Sequence, residues 1–135
     1  MSRTFIDSGV LIAAARGIDT VSAKAQAVLT DASRHFITSD FVRLEVLPKP
    51  LYFKRTAEIG YYQAFFAVEQ VWVSLTPSLL NLALQRASEF GLGAVDSLHV
   101  AAAELAQATQ LITTERPTSP ICRVTTVMVV SLQAP

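Results

Sequence analysis

The chain has 135 residues, 51% of them hydrophobic and 16% charged, with 11 basic and 11 acidic side chains for a formal net charge of zero. That apolar content excludes a disordered chain, and the charge balance excludes global attraction to nucleic acid, so any such binding needs a local basic patch. A single cysteine, Cys122, excludes an internal disulfide and fits a reducing cytoplasm, and no apolar run approaches the roughly 20 residues of a membrane span.

In chain order, Thr4–Ile6 reads as a first strand and Leu11–Arg16 as the helix after it. Asp19 or Thr20 caps a second helix, in which Val21, Ala25, Val28, Leu29 and Ala32 keep helical spacing. His35–Thr38 reads as a strand, and Ser39 or Asp40 caps a helix that Pro48 and Pro50 stop. Residues 51–70 are helical in pattern and 71–75 are β-rich. Thr76-Pro77 is a cap followed by proline at the first helical position, and Gly91 terminates the helix it opens. An Ala-rich helix over 94–108, a strand over 110–113 and a last strand over 124–132 complete the pattern. Strands alternating with helices, without hairpin signals, predict an α/β fold whose parallel sheet is covered on both faces. No repeat, linker or low-complexity tract divides the chain, so the expectation is one domain over residues 1–135, soluble and cytoplasmic, with no membrane partner.

Four acids fall at related places in this pattern. Asp7 follows the first strand in T-F-I-D-S-G-V-L-I, and Glu115 follows the strand ending L-I-T-T. Glu45 lies on the helix S-D-F-V-R-L-E-V-L, and Asp96 in the first turn of G-A-V-D-S-L-H-V-A-A-A. Ligands of open parallel sheets bind outside the carboxyl ends of the strands, where these four acids are expected to converge. Each also has an ordinary reading: Asp7 as a helix cap, Glu45 as a solvated helix residue, Asp96 as compensation of the helix dipole, Glu115 as a loop charge beside Arg116. Three of them stand in unusually apolar surroundings, which favours the joint reading. Clustered carboxylates repel one another, and Mg²⁺ or Mn²⁺ with its preference for hard oxygen ligands relieves that conflict. Such a site suits phosphodiester hydrolysis. Gly9, two positions after Asp7, is not the second aspartate of a haloacid-dehalogenase-type phosphatase, and D-S-G-V-L lacks the serines of a von Willebrand-type metal site. There is no late-strand lysine of a receiver domain, no phosphate-binding G-x-x-x-x-G-K-[ST] loop and no Cys/His zinc spacing.

Taken in order, F-I-D-S-G-V-L-I, F-V-R-L-E-V-L, A-V-D-S-L-H-V-A-A-A and L-I-T-T-E-R resemble the four motifs of the PIN domain, the nuclease fold that includes VapC-type toxins. The resemblance covers nearly the whole chain. It implies a three-layer α/β/α fold with a parallel sheet of about five strands, and divalent-metal-dependent endoribonuclease activity. It further implies that Asp7, Glu45 and Asp96 bind the metal, with Thr113 as a hydroxyl residue near the fourth motif. Glu115 stands where the family more often has Asp, and Gly9 where many relatives have Asn, Ser or Thr. A toxin restrained by a separate antitoxin is one expectation; a catalytically weak PIN-like module that binds RNA or a protein is the alternative.

Other residues take supporting parts. His99 is expected to pack or make a structural hydrogen bond, and Ser8 and Ser97 to be hydrogen-bond partners of the acids rather than nucleophiles. Arg43, Lys49, Lys54, Arg55 and Arg116 flank the acidic segments and are candidates for RNA phosphate contacts, with an ordinary solvated charged face as the alternative. The segment Y-Y-Q-A-F-F-A, residues 61–67, carries aromatics on several helix faces, which points to a homodimer or to burial within its own domain.

Overall fold

A computed structural model describes residues 2–133. Five strands form one parallel sheet in the order β3-β2-β1-β4-β5: β1 (Ser2–Ile6), β2 (Arg34–Ser39), β3 (Val71–Val73), β4 (Gln110–Thr113) and β5 (Val129–Ser131). Phe5 aligns with Ile37 on one side and Leu111 on the other, and all three are fully buried. That continuous apolar centre is what a sheet covered on both faces requires.

Among the described residues, seven α-helices lie between the strands: α1 (Ser8–Arg16), α2 (Thr20–Leu29), α3 (Asp40–Val46), α4 (Pro48–Tyr52), α5 (Thr56–Ala67), α6 (Pro77–Phe90) and α7 (Ala94–Leu105). Helices α1, α2, α3 and α5 associate with one another, and α6 pairs with α7, giving the α/β/α layering. Local sequence explains most of their ends. Asp19, Ser39 and Thr76 each accept a hydrogen bond from the backbone three residues on. Gly91 closes α6 in the left-handed conformation, φ 68°, where a side chain would be strained.

Several boundaries depart from the sequence expectation. Helix α1 begins at Ser8, because Asp7 caps it directly. Pro48 ends α3 and also opens α4, where its missing N–H is no loss at the first helical position. The helix expected over 51–70 breaks after Tyr52, with Lys54 at φ 55°, and resumes as α5. The last strand is confined to Val129–Ser131; Val124 and Val127 are buried from a non-strand segment that follows a 3-10 turn at Pro120–Arg123. Burial supplied the apolar pattern there without strand pairing.

Candidate functional site

The strand order places β1 between β2 and β4, so successive connections run to opposite sides of β1. Such a reversal leaves a crevice outside the carboxyl ends of the strands. Asp7 stands there. Its backbone N–H donates to the Ile112 carbonyl at 3.1 Å, extending the β1–β4 pairing by one residue. Oδ1 accepts from the Val10 N–H at 3.2 Å and Oδ2 from the Thr113 hydroxyl at 2.5 Å. Thr113 Oγ1 accepts in turn from the Glu115 N–H at 3.0 Å, so one fully buried hydroxyl ties Asp7 to the loop after β4. Asp7 itself is 5% exposed. Burial pushes its carboxyl above the usual range, with Asp96 adding to the rise, against the lowering from Thr113, His99 and Val10.

The helix-borne acids are held differently. Glu45, near the end of α3, accepts a short hydrogen bond from the Ser8 hydroxyl on Oε1, the oxygen that also lies 2.9 Å from His99 Nε2. Partial desolvation raises the Glu45 carboxyl, but the bonds from His99 and Ser8, with the electrostatic pull of His99, outweigh it and leave it below its ordinary range. His99 is 2% exposed between the rings of Phe5 and Phe41, at 5.4 and 5.5 Å, and makes the structural hydrogen bond expected of it. Its buried Nδ1 has no partner among the described residues, while Nε2 faces Glu45. Asp96, in the first turn of α7, is half-buried and enters no hydrogen bond or ion pair among the described residues. Burial raises its carboxyl, and the charges of Glu115 and Glu45 raise it further while His99 opposes them. Glu115 is exposed, and its carboxylate accepts from the Ser119 hydroxyl at 3.3 Å.

The four acids therefore lie toward one edge, where the charges of Glu115 and Glu45 reach Asp96 and that of Asp96 reaches Asp7. Their oxygens are the hard donors that Mg²⁺ or Mn²⁺ prefers. Yet among the described residues no group of three or more His, Cys, Asp or Glu side chains is placed to hold a metal ion. Both Asp7 oxygens and Glu45 Oε1 are instead occupied by donors of the chain itself. Donor chemistry fits a divalent ion; spacing does not.

The supporting residues divide. Ser8 bonds Glu45, as expected of it, and Thr113 bonds Asp7, whereas Ser97 donates to the Ala94 carbonyl at 2.7 Å and serves its own helix turn. Arg43, Lys49, Lys54, Arg55 and Arg116 are all exposed. Arg55 pairs with Glu58 at 3.9 Å and stands 5.1 Å over the Phe53 ring, while the other four enter no ion pair among the described residues. In α5, Tyr62 is fully buried and donates to Glu58 at 2.9 Å, so one aromatic face belongs to the protein's own interior. Thr114 also stands at this edge: a Cβ on Gly9 would lie 2.2 Å from Thr114 Oγ1.

No family model matches the sequence, and no curated protein does. Solved structures do match. A chain of a toxin–antitoxin complex from Klebsiella pneumoniae superposes with TM-score 0.72 at 17% identity, covering 96% of this chain and 97% of the other. VapBC2 from Rickettsia felis, bound to a promoter DNA fragment, gives TM-score 0.64 at 12% identity over 96% and 98%. VapC20 from Mycobacterium tuberculosis, a toxin that cleaves the sarcin–ricin loop, gives 0.64 at 17% over 89% and 94%. With five parallel strands in one α/β/α sandwich, this chain has the PIN-like fold of the VapC-type toxins.

Proposed function

We propose that this chain, acting as one unit over residues 1–135, is a PIN-like module that binds single-stranded RNA at its acidic edge and hydrolyses it weakly. The observation that carries this reading is the arrangement of the acids: Asp7, Glu45, Asp96 and Glu115 meet at one end of the sheet, but no three are placed to hold an ion. Asp7 and Asp96, with Glu45 and Glu115, are the donors a Mg²⁺ or Mn²⁺ ion would use, and such an ion would supply Lewis-acid stabilisation of a phosphodiester. The chain's own residues orient the edge. Thr113 fixes Asp7, Ser8 and His99 hold Glu45, and Arg43, Lys49, Lys54, Arg55 and Arg116 offer cations to phosphates.

A second reading, an efficient metal-dependent endoribonuclease, is favoured by the mutual charge of the acids, which a cation would relieve on arrival. A separate antitoxin-type protein is a proposed partner, since similar chains come from toxin–antitoxin complexes. Leu44, Leu51, Tyr52 and Phe53 on and after α3 and α4 are exposed and offer it an apolar surface. Self-association through the exposed Tyr61, Ala64 and Val68 side of α5 is the form a homodimer would take. The test is to incubate labelled single-stranded RNA with wild type, Asp7→Asn and Asp96→Asn in Mn²⁺, following binding by anisotropy and chain length on gels. Binding with slow cleavage supports the proposal. Rapid cleavage lost in both variants establishes the second reading, and absence of binding removes both.

A further inference from the structure

The last residues of β4 and the loop after it place two adjacent threonines at the acidic edge, and their hydroxyls have unequal duties. Thr113 is spent internally: its proton goes to Asp7 Oδ2 and its lone pair receives the Glu115 N–H. Thr114 is half-buried, and its hydroxyl makes no hydrogen bond among the described residues; only its carbonyl is engaged, by Gln133 Nε2 at 2.6 Å. The Thr114 hydroxyl lies over Gly9. A Cβ built on Gly9 would stand 2.2 Å from Thr114 Oγ1 and 3.3 Å from Asp7 Oδ1, so this hydroxyl and that carboxylate oxygen flank the same point. A contact of 2.2 Å is impossible for a real side chain, so any residue larger than Gly at position 9 requires the Thr114 hydroxyl to turn away.

We propose that Thr114 is an RNA-binding residue of the acidic edge: its hydroxyl takes the volume of the side chain that Gly9 lacks and donates to a backbone phosphate beside Asp7. This rests on the RNA-binding reading above. Neutral donors suit that position, because a hydroxyl satisfies a phosphate oxygen without forming an ion pair with the neighbouring acids.

The test moves the hydroxyl. Wild type, Thr114→Ala, Thr114→Ser, Gly9→Ser and Gly9→Ser/Thr114→Ala are compared for melting temperature and for affinity toward a single-stranded RNA oligonucleotide, by anisotropy at fixed salt. Thr114→Ala is expected to weaken RNA binding by about fivefold to tenfold, with the melting temperature unchanged within about 2 °C. Thr114→Ser is expected to retain wild-type affinity. Gly9→Ser alone is expected to lower the melting temperature, and removal of the Thr114 hydroxyl in the double variant to restore both stability and affinity. Unchanged affinity in Thr114→Ala, or a double variant as unstable as Gly9→Ser, overturns the proposal. Wild type that binds no RNA instead overturns the reading on which it rests, and with it this role for Thr114.

Discussion

At the ends of β1 and β4 one carboxylate, Asp7, is buried and raised above its ordinary range; on α3 another, Glu45, is exposed and lowered below it. Both accept two hydrogen bonds from the chain. The difference lies in solvent and in donors. Asp7 loses water on nearly every side, so its two bonds offset only part of the desolvation. Glu45 keeps water on one side, and the His99 ring brings it an electrostatic pull as well as a hydrogen bond. The strand-end region thus holds a costly charge in place, while the helix region holds an acid where it is comfortable. A stable protein would not need the first arrangement, and carboxylates raised in this way cluster at functional sites.

That contrast can be broken at Thr113. Thr113→Val leaves an Asp7 oxygen and the Glu115 N–H without their partner, and is expected to cost about 2–3 kcal/mol, read as a fall in melting temperature by thermal denaturation. A loss under about 1 kcal/mol would mean that Asp7 is not tied as described. Glu45→Gln is a smaller change, about 0.5–1 kcal/mol at pH 7 after allowance for solvent screening. The folded Glu45 carboxyl is lowered, so its contribution is present above the unfolded value and lost as pH falls through the folded one. Denaturant curves for wild type and variant should converge in acid.

Asp96→Asn is expected to move stability the other way. A raised carboxyl stabilises the fold while protonated, below the unfolded aspartate value of about 3.9, and that contribution is lost as pH rises through the folded value. The Asn variant should therefore melt slightly above wild type at pH 7, by less than about 1 kcal/mol equivalent, and match it near pH 3. A variant less stable at pH 7 would show that Asp96 ionises without strain. Smallest of all, Arg116→Ala should leave stability within about 0.5 kcal/mol. It should reduce the salt dependence of RNA binding by about one counterion.

The elements were largely legible because their signals are local. Caps at Asp19, Ser39 and Thr76, the Gly91 stop and the period-3.6 patterns each depend on a few neighbouring residues. The break at Lys54 was not, since no glycine or proline marks residues 51–56 and the positive φ falls at the join between α4 and α5. The final strand was overextended for a related reason: Val124 and Val127 are apolar because they are buried, and periodicity cannot distinguish burial from pairing. At the site, order along the chain led to the expectation that the four acids stand on one edge, and it anticipated Ser8 as a hydrogen-bond partner of an acid. It could not give distances between them. Whether Glu45 turns toward Asp7 or toward Ser8 and His99 depends on contacts 37 and 54 residues apart in sequence. Ser97 illustrates the same limit, since its hydroxyl had a nearer carbonyl in its own helix turn.

The spacing of the acids carries the account, and calorimetric titration of the wild-type protein with Mn²⁺ alone tests it most directly. With Asp7 and Glu45 held by the chain's own donors, binding is expected to be no tighter than about millimolar, near −4 kcal/mol. A stoichiometric site of micromolar affinity, abolished by Asp96→Asn, would contradict the account and show that the acids assemble around an ion.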